Sequence, residues 1–124
     1  MDVKDILQKA RIKARLRDVH IERQNMLLRT KKRREDLGLN TEYVDKDIQN
    51  SDSIIAAADE VLDEARYLIS CLRDEEYDVM YFYYICGFST WDRVAAYMHY
   101  SIRNIYKLHE SALEILTARK ENTQ

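Results

Sequence analysis

The chain of 124 residues is 46% hydrophobic and 34% charged, with no proline and only two glycines, Gly38 and Gly87. That length fits one domain, or one domain with an extension, and the apolar content is too high for a disordered chain. The shortage of turn punctuation, beside abundant Leu, Ala, Glu, Lys and Arg, argues against a sheet protein and predicts an all-α fold.

The net charge of −2 is an average over unlike segments. Residues 1–38 carry 12 basic against 6 acidic side chains, residues 39–80 carry 3 against 12, and residues 81–124 carry 5 against 4. A basic arm therefore precedes an acidic middle. No apolar run approaches the ~18 residues that span a bilayer, and the amphipathic start MDVKDILQKARIK lacks the apolar stretch of a signal peptide. The expectation is a cytoplasmic protein with no membrane segment.

The first helix is predicted over residues 2 to about 37. Val3, Leu7, Ala10 and Ala14 form an apolar row, and Ile12, Leu16, Val19 and Met26 are expected to continue it. Gly38 follows the cationic run Lys31, Lys32, Arg33, Arg34, which suits a helix C-terminus. Residues 38–51 read as a linker, with an ordered contact through Tyr43, Val44 and Ile48. The second helix is predicted over about 52–72, capped by Ser51 or Ser53. Ile54, Ala58, Val61, Ala65, Leu68 and Leu72 line one face, Ile55, Leu62 and Ile69 widen the stripe, and Asp59, Glu60, Asp63 and Glu64 fill the other face. The two helices, residues 1–72, should pack as an antiparallel hairpin, the basic helix beside the acidic one. Their stripes could also form the seam of a homodimer.

From residue 73 the composition changes. Seven of the nine tyrosines, both phenylalanines and the single tryptophan fall between Tyr77 and Tyr106. Three helices fit residues 73–119. The first runs about Asp74–Ile85, capped by Asp74 and stopped at Gly87. The second runs Trp91–Met98 after Ser89 or Thr90. The third runs from Ser101 to about Ala118, with Ile105, Leu108, Ala112 and Ile115 facing inward and Leu116 beside them. Residues 120–124 read as a frayed tail.

A short helix, a three-residue turn and a longer helix have the spacing of a helix-turn-helix. Trp91, Val94 and Ala95 would pack the short helix, and the turn Met98-His99-Tyr100 would deliver Ser101 as the cap of a recognition helix. That helix would present Ser101, Ile102, Arg103, Asn104 and Lys107, with Arg93, Tyr100 and Tyr106 beside them. Arg can pair with guanine and Asn with adenine in a major groove. The same side chains also read as an ordinary solvated helix face. Lys31, Lys32, Arg33 and Arg34 could grip phosphates or simply be solvated. The aromatic cluster reads as core.

The stretch from Tyr77 to Leu116 resembles the fourth conserved region of bacterial sigma factors, through Tyr84, Gly87, Trp91, Val94, Ala95, Tyr100, Ser101, Ile105, Tyr106, Ala112, Leu113 and Leu116. The whole chain is similar to a family of short proteins of Gram-positive phages and prophages that pair a charged helical segment with such a module. The resemblance implies a sigma-like helix-turn-helix that binds double-stranded DNA and regulates transcription. The chain lacks any segment resembling the promoter-melting parts of a sigma factor, so the resemblance implies a regulator that does not initiate transcription alone. A second reading, from another class, is a protein-interaction module that binds host RNA polymerase or another host protein; the few cations around Arg103 favour it.

Cys71 and Cys86 read as reduced, buried thiols, and His20, His99 and His109 form no metal-ligand spacing with them. No nucleophile triad, phosphate loop or zinc pattern occurs. The expectation is a protein that is not an enzyme and takes no cofactor or metal.

Overall fold

The structure is a computed structural model describing residues 2–122, and each regular element among them is helical. The chain runs α1 (Val3–Asp36), α2 (Glu42–Ile69), α3 (Asp74–Met80), a π-helical turn (Tyr81–Ile85), α4 (Trp91–Met98) and α5 (Ile102–Asn122). No helix among the described residues is long and apolar enough to cross a membrane.

Asp2 caps α1 by accepting the Asp5 N–H at 2.9 Å. The helix stops where Gly38 takes φ +69°, with the Gly38 N–H donating to the Glu35 carbonyl and the Leu39 N–H to the Arg34 carbonyl. This is the glycine stop expected from the sequence. The second helix departs from expectation. It starts at Glu42 rather than near residue 52, so residues 42–51, assigned to a linker, are helical. The Asn40 side chain accepts the Glu42 N–H at 2.6 Å, and Glu42 and Asp45 occupy the favoured acidic first turn. Val44, Ser51, Ala58 and Ala65, seven residues apart, are all buried on one line, and that seam needs little apolar material per turn. Ser51 and Ser53 therefore lie inside the helix and cap nothing; the Ser53 hydroxyl donates to the Gln49 carbonyl.

The hairpin is antiparallel and registered by three polar rungs. Arg17 Nε donates to Asp59 Oδ1 at 2.6 Å, Gln24 donates to Asp52, and Lys31 Nζ lies 2.9 Å from Asp45. Each rung is seven residues on along α1 and seven back along α2, the repeat of a two-stranded coiled coil. At the outermost rung the pairing raises the Lys31 pKa and lowers that of Asp45, holding both charged. Basic and acidic helices thus neutralise each other in part within the molecule.

The apolar row of α1 also departs from expectation beyond Ala14. Val3, Ile6, Leu7, Ala10 and Ala14 are buried, but Ile12, Val19 and Met26 are 64%, 61% and 57% exposed. A row two residues on from Ala10 lies about 200° round the helix, nearly opposite it. The seam with α2 is continued instead by half-buried Arg17, Ile21, Gln24, Leu27 and Lys31.

α1, α2, α3 with its π-helical turn and α5 meet in one core that includes Leu7, Ala10, Leu62, Ile69, Met80, Tyr84, Ile85, Ala112 and Leu116. A second, smaller core joins Val79, Val94, Ala95 and Ile105. The π-helical turn serves both. The Cys86 N–H reaches the Tyr81 carbonyl at 2.9 Å, five residues back, and the widened turn rotates successive side chains. Phe82 joins the smaller core while Tyr84 and Ile85 join the larger. Asp74 does not cap α3 through its side chain: the cap position is Arg73, and Asp74 itself has φ +53°. In α5 the buried positions are Ile105, Ala112 and Leu116, whereas Ile115 is 43% exposed. The inward row therefore steps from Ala112 to Leu116, four residues and just over one full turn. Lys120, Glu121 and Asn122, assigned to a frayed tail, continue α5, and Thr123 and Gln124 lie outside the described residues. Cys71 and Cys86 are unbridged and half-buried.

Candidate nucleic-acid interface

The short helix α4 is set by Thr90, in extended conformation, whose hydroxyl accepts the Arg93 N–H at 3.1 Å. It ends at His99, which takes the left-handed conformation at φ +60°. Histidine is among the few residues besides glycine that enter this region readily, so a tight turn forms without glycine. The Tyr100 N–H returns to the Ala95 carbonyl, and Ser101 caps α5 by accepting the Asn104 N–H at 3.1 Å. Three residues, His99 to Ser101, separate the helices. Val94, Ala95 and Ile105 are buried against Val79 and fix the pair on α3.

The predicted contact residues divide into two groups. Ser101, Arg103, Asn104, Tyr106 and Lys107 are exposed on α5, and Arg93 is exposed on α4. Ile102 is half-buried and packs into the smaller core, so it holds the helix. Tyr100 is also half-buried in that core, and its hydroxyl donates to Glu75 Oε1 at 2.5 Å, which ties the turn to α3. The hydrogen bond to the Glu75 carboxylate is the main reason that the Tyr100 pKa is raised. Asp92, Glu110 and Glu114 are exposed as well, so the positive potential of this face is modest.

Lys31–Arg34 are not brought to this face. They lie at the far end of α1, roughly 35 Å along the helix from the residues that meet α5. Lys31 pairs with Asp45, Arg34 Nε donates to the Asn40 carbonyl at 2.7 Å and its guanidinium lies over the Tyr43 ring, while Lys32 and Arg33 are exposed.

The residue that positions the module most firmly is Arg11, on α1. Its Nη1 donates to the carbonyls of Tyr83 and Phe88 at 2.8 and 2.6 Å, and its Nη2 to that of Ser89 at 3.2 Å. The guanidinium lies 3.8 Å from the centre of the Tyr83 ring, which stacks on Trp91 at 3.6 Å. α1 thereby grips the loop that leads into α4. Sequence reasoning missed it; the available signal was an arginine inside the buried run Leu7, Ala10, Ala14. Beneath this stack, Tyr84 and His109 Nε2 are 2.7 Å apart. Burial, with a contribution from Tyr83, pushes Tyr84 up to about 12, so its hydroxyl stays protonated and shares this hydrogen bond with the His109 imidazole. Burial also lowers the His109 pKa, helped by the charge of Lys4.

Compared with protein-family models, curated proteins and solved structures, the chain matches none. Among the described residues no group of three or more His, Cys, Asp or Glu side chains is placed to hold a metal ion.

Proposed function

We propose that the chain binds double-stranded DNA through the first turns of α5, as a transcription regulator of the phage or prophage kind that its sigma-like sequence pattern implies, acting in the bacterial cytoplasm. One observation carries this reading: a capped three-residue turn leaves Ser101, Arg103, Asn104 and Lys107 exposed while Ile102, Ile105 and Leu108 hold the helix to the core. A helix anchored on one side and polar on the other fits a major groove. Arg103 can fork onto guanine and Asn104 onto adenine, while Arg93 and Lys107 can meet phosphates.

The test is selection of duplexes from a random pool, followed by mobility-shift titration. Arg103→Ala should weaken the selected duplex by roughly 5- to 150-fold, the span of one bidentate contact, with thermal unfolding unchanged because Arg103 is exposed. Enrichment of no duplex would overturn the reading. A second reading is favoured by Asp92, Glu110 and Glu114 on the same side of the molecule as few cations: the module binds host RNA polymerase without touching DNA. Polymerase co-purifying after nuclease treatment, with no duplex selected, would establish it.

A further inference from the structure

The larger core is not closed where the start of α1, the end of α2 and the end of α5 meet. α2 stops at Ile69, and the two residues that follow, Ser70 and Cys71, are small and leave a space beside α5. A cavity of about 420 Å³ opens there to solvent. Its apolar wall is the edge of the core itself: Ile6 and Leu116 are buried, and Leu68 is half-buried against them. Sites for small ligands have volumes of this order and combine apolar walls with a few placed polar groups.

The polar groups at the mouth differ in what they have already bonded. Acceptors at the end of α2 are taken: the Ser70 hydroxyl donates to the Tyr67 carbonyl at 2.6 Å, and the Cys71 thiol to the Leu68 carbonyl at 3.7 Å. Donors are open. Arg119 lines the cavity from the end of α5, is exposed, and pairs with no acid among the described residues. Lys120 stands beside it, and Glu64 is the acid that lines the mouth, so two cations face one carboxylate. A cationic ligand would be repelled there, and an uncharged one would leave the guanidinium fork unused. An anion would use it, in the bidentate geometry that carboxylates accept. We propose that this cavity binds a small amphipathic molecule carrying a single carboxylate. Its apolar tail lies along Ile6, Leu68 and Leu116, and its carboxylate accepts hydrogen bonds from Arg119, with Lys120 adding positive potential. The site is roughly 25 Å along α5 from the first turn of that helix. It is therefore separate from the proposed duplex contact, and the inference holds whether or not the chain binds DNA.

Decanoate, kept well below the concentration at which it forms micelles, is the probe. Calorimetric titration of the full chain should give one saturable site with a dissociation constant below about 1 mM. Decylammonium, with the same tail and the opposite charge, should bind about tenfold more weakly or worse. Arg119→Glu, at an exposed position, should reverse that order while the helical circular dichroism stays unchanged. Cys71 reports the place, because it lines the cavity. In a Cys86→Ser background, decanoate at about ten times its dissociation constant should slow alkylation of Cys71 by iodoacetamide about tenfold. No saturable binding, an order of preference indifferent to Arg119→Glu, or binding that leaves Cys71 unprotected would each overturn the proposal. So would a Cys71 already shielded without ligand in a protein that sediments as a dimer, which would give the cavity to a second copy of the chain.

Discussion

Arg11 is 9% exposed, and its guanidinium is held by three carbonyls and one aromatic ring. A buried cation is tolerable only with such a full set of partners, and carbonyls at the end of a helical segment carry the partial negative charge that suits it. Arg11→Met keeps the aliphatic bulk but leaves those carbonyls without their donor, so it should destabilise the fold by about 2–4 kcal/mol in urea unfolding. Arg11→Lys should recover only part of the loss, because an ammonium neither forks nor stacks as a guanidinium does. The buried imidazole of His109 gives a second expectation. Its folded pKa lies below the ordinary 6.5, so the unfolded chain takes up the proton first. Its stabilising contribution is full above that ordinary value and is lost as pH falls through it toward the folded pKa. The thermal midpoint should therefore drop between pH 7 and pH 5, and His109→Gln should flatten that drop; a variant with the same pH profile would show that His109 is not responsible.

The two glycines occupy similar backbone conformations in different surroundings, and that difference shows what each element requires. Gly38 has φ +69° with nothing within 4 Å of an added Cβ, whereas at Gly87, φ +72°, a Cβ would meet Arg15 Cγ at 3.3 Å and Ala14 Cβ at 3.4 Å. Gly38→Ala should cost about 1 kcal/mol, the left-handed penalty alone, and Gly87→Ala about 2 kcal/mol or more, because α1 must also give way. Chemical denaturation of the two variants side by side checks the order. Both stops were legible in the sequence because glycine after a cationic or aromatic run has one local meaning. So were the caps at Thr90 and Ser101, which depend on neighbours three residues away. What the sequence concealed depends on partners far along the chain. The side of α1 that carries Ile12 and Val19 reads as apolar as the side that carries Ala10 and Ala14, and only the position of α2 decides between them. The start of α2 was hidden for the same reason: Thr41 to Asn50 is mostly polar, and its helix is held by Val44 at the seam and by the Lys31–Asp45 rung. The exposed group on α5 was legible as a pattern, but the inward turn of Ile102 and the Tyr100–Glu75 bond follow from α3, whose Glu75 lies 25 residues from Tyr100.

At the scale of the molecule, the division between hairpin and helix-turn-helix is a division of the chain and not of its core. Met80, Tyr84, Ile85, Ala112 and Leu116 are buried together with Leu7, Ala10, Ala14, Leu62 and Ile69, so more than half of the residues buried in that core come from α1 and α2. Within residues 73–122 alone, the self-contained core is Val79, Val94, Ala95 and Ile105 with the half-buried side chains around them. A core that small supplies little net stability once chain entropy is set against it. The full chain should therefore unfold in one transition, with Trp91 fluorescence and far-ultraviolet circular dichroism coincident. A fragment of residues 73–122 should show little helix and an exposed tryptophan. A fragment with a cooperative transition like that of the whole would show that the module stands without the hairpin. In the expected case the direction of α5 is fixed by α1 through Arg11 and the larger core, so whatever α5 touches is presented at an angle that the hairpin sets.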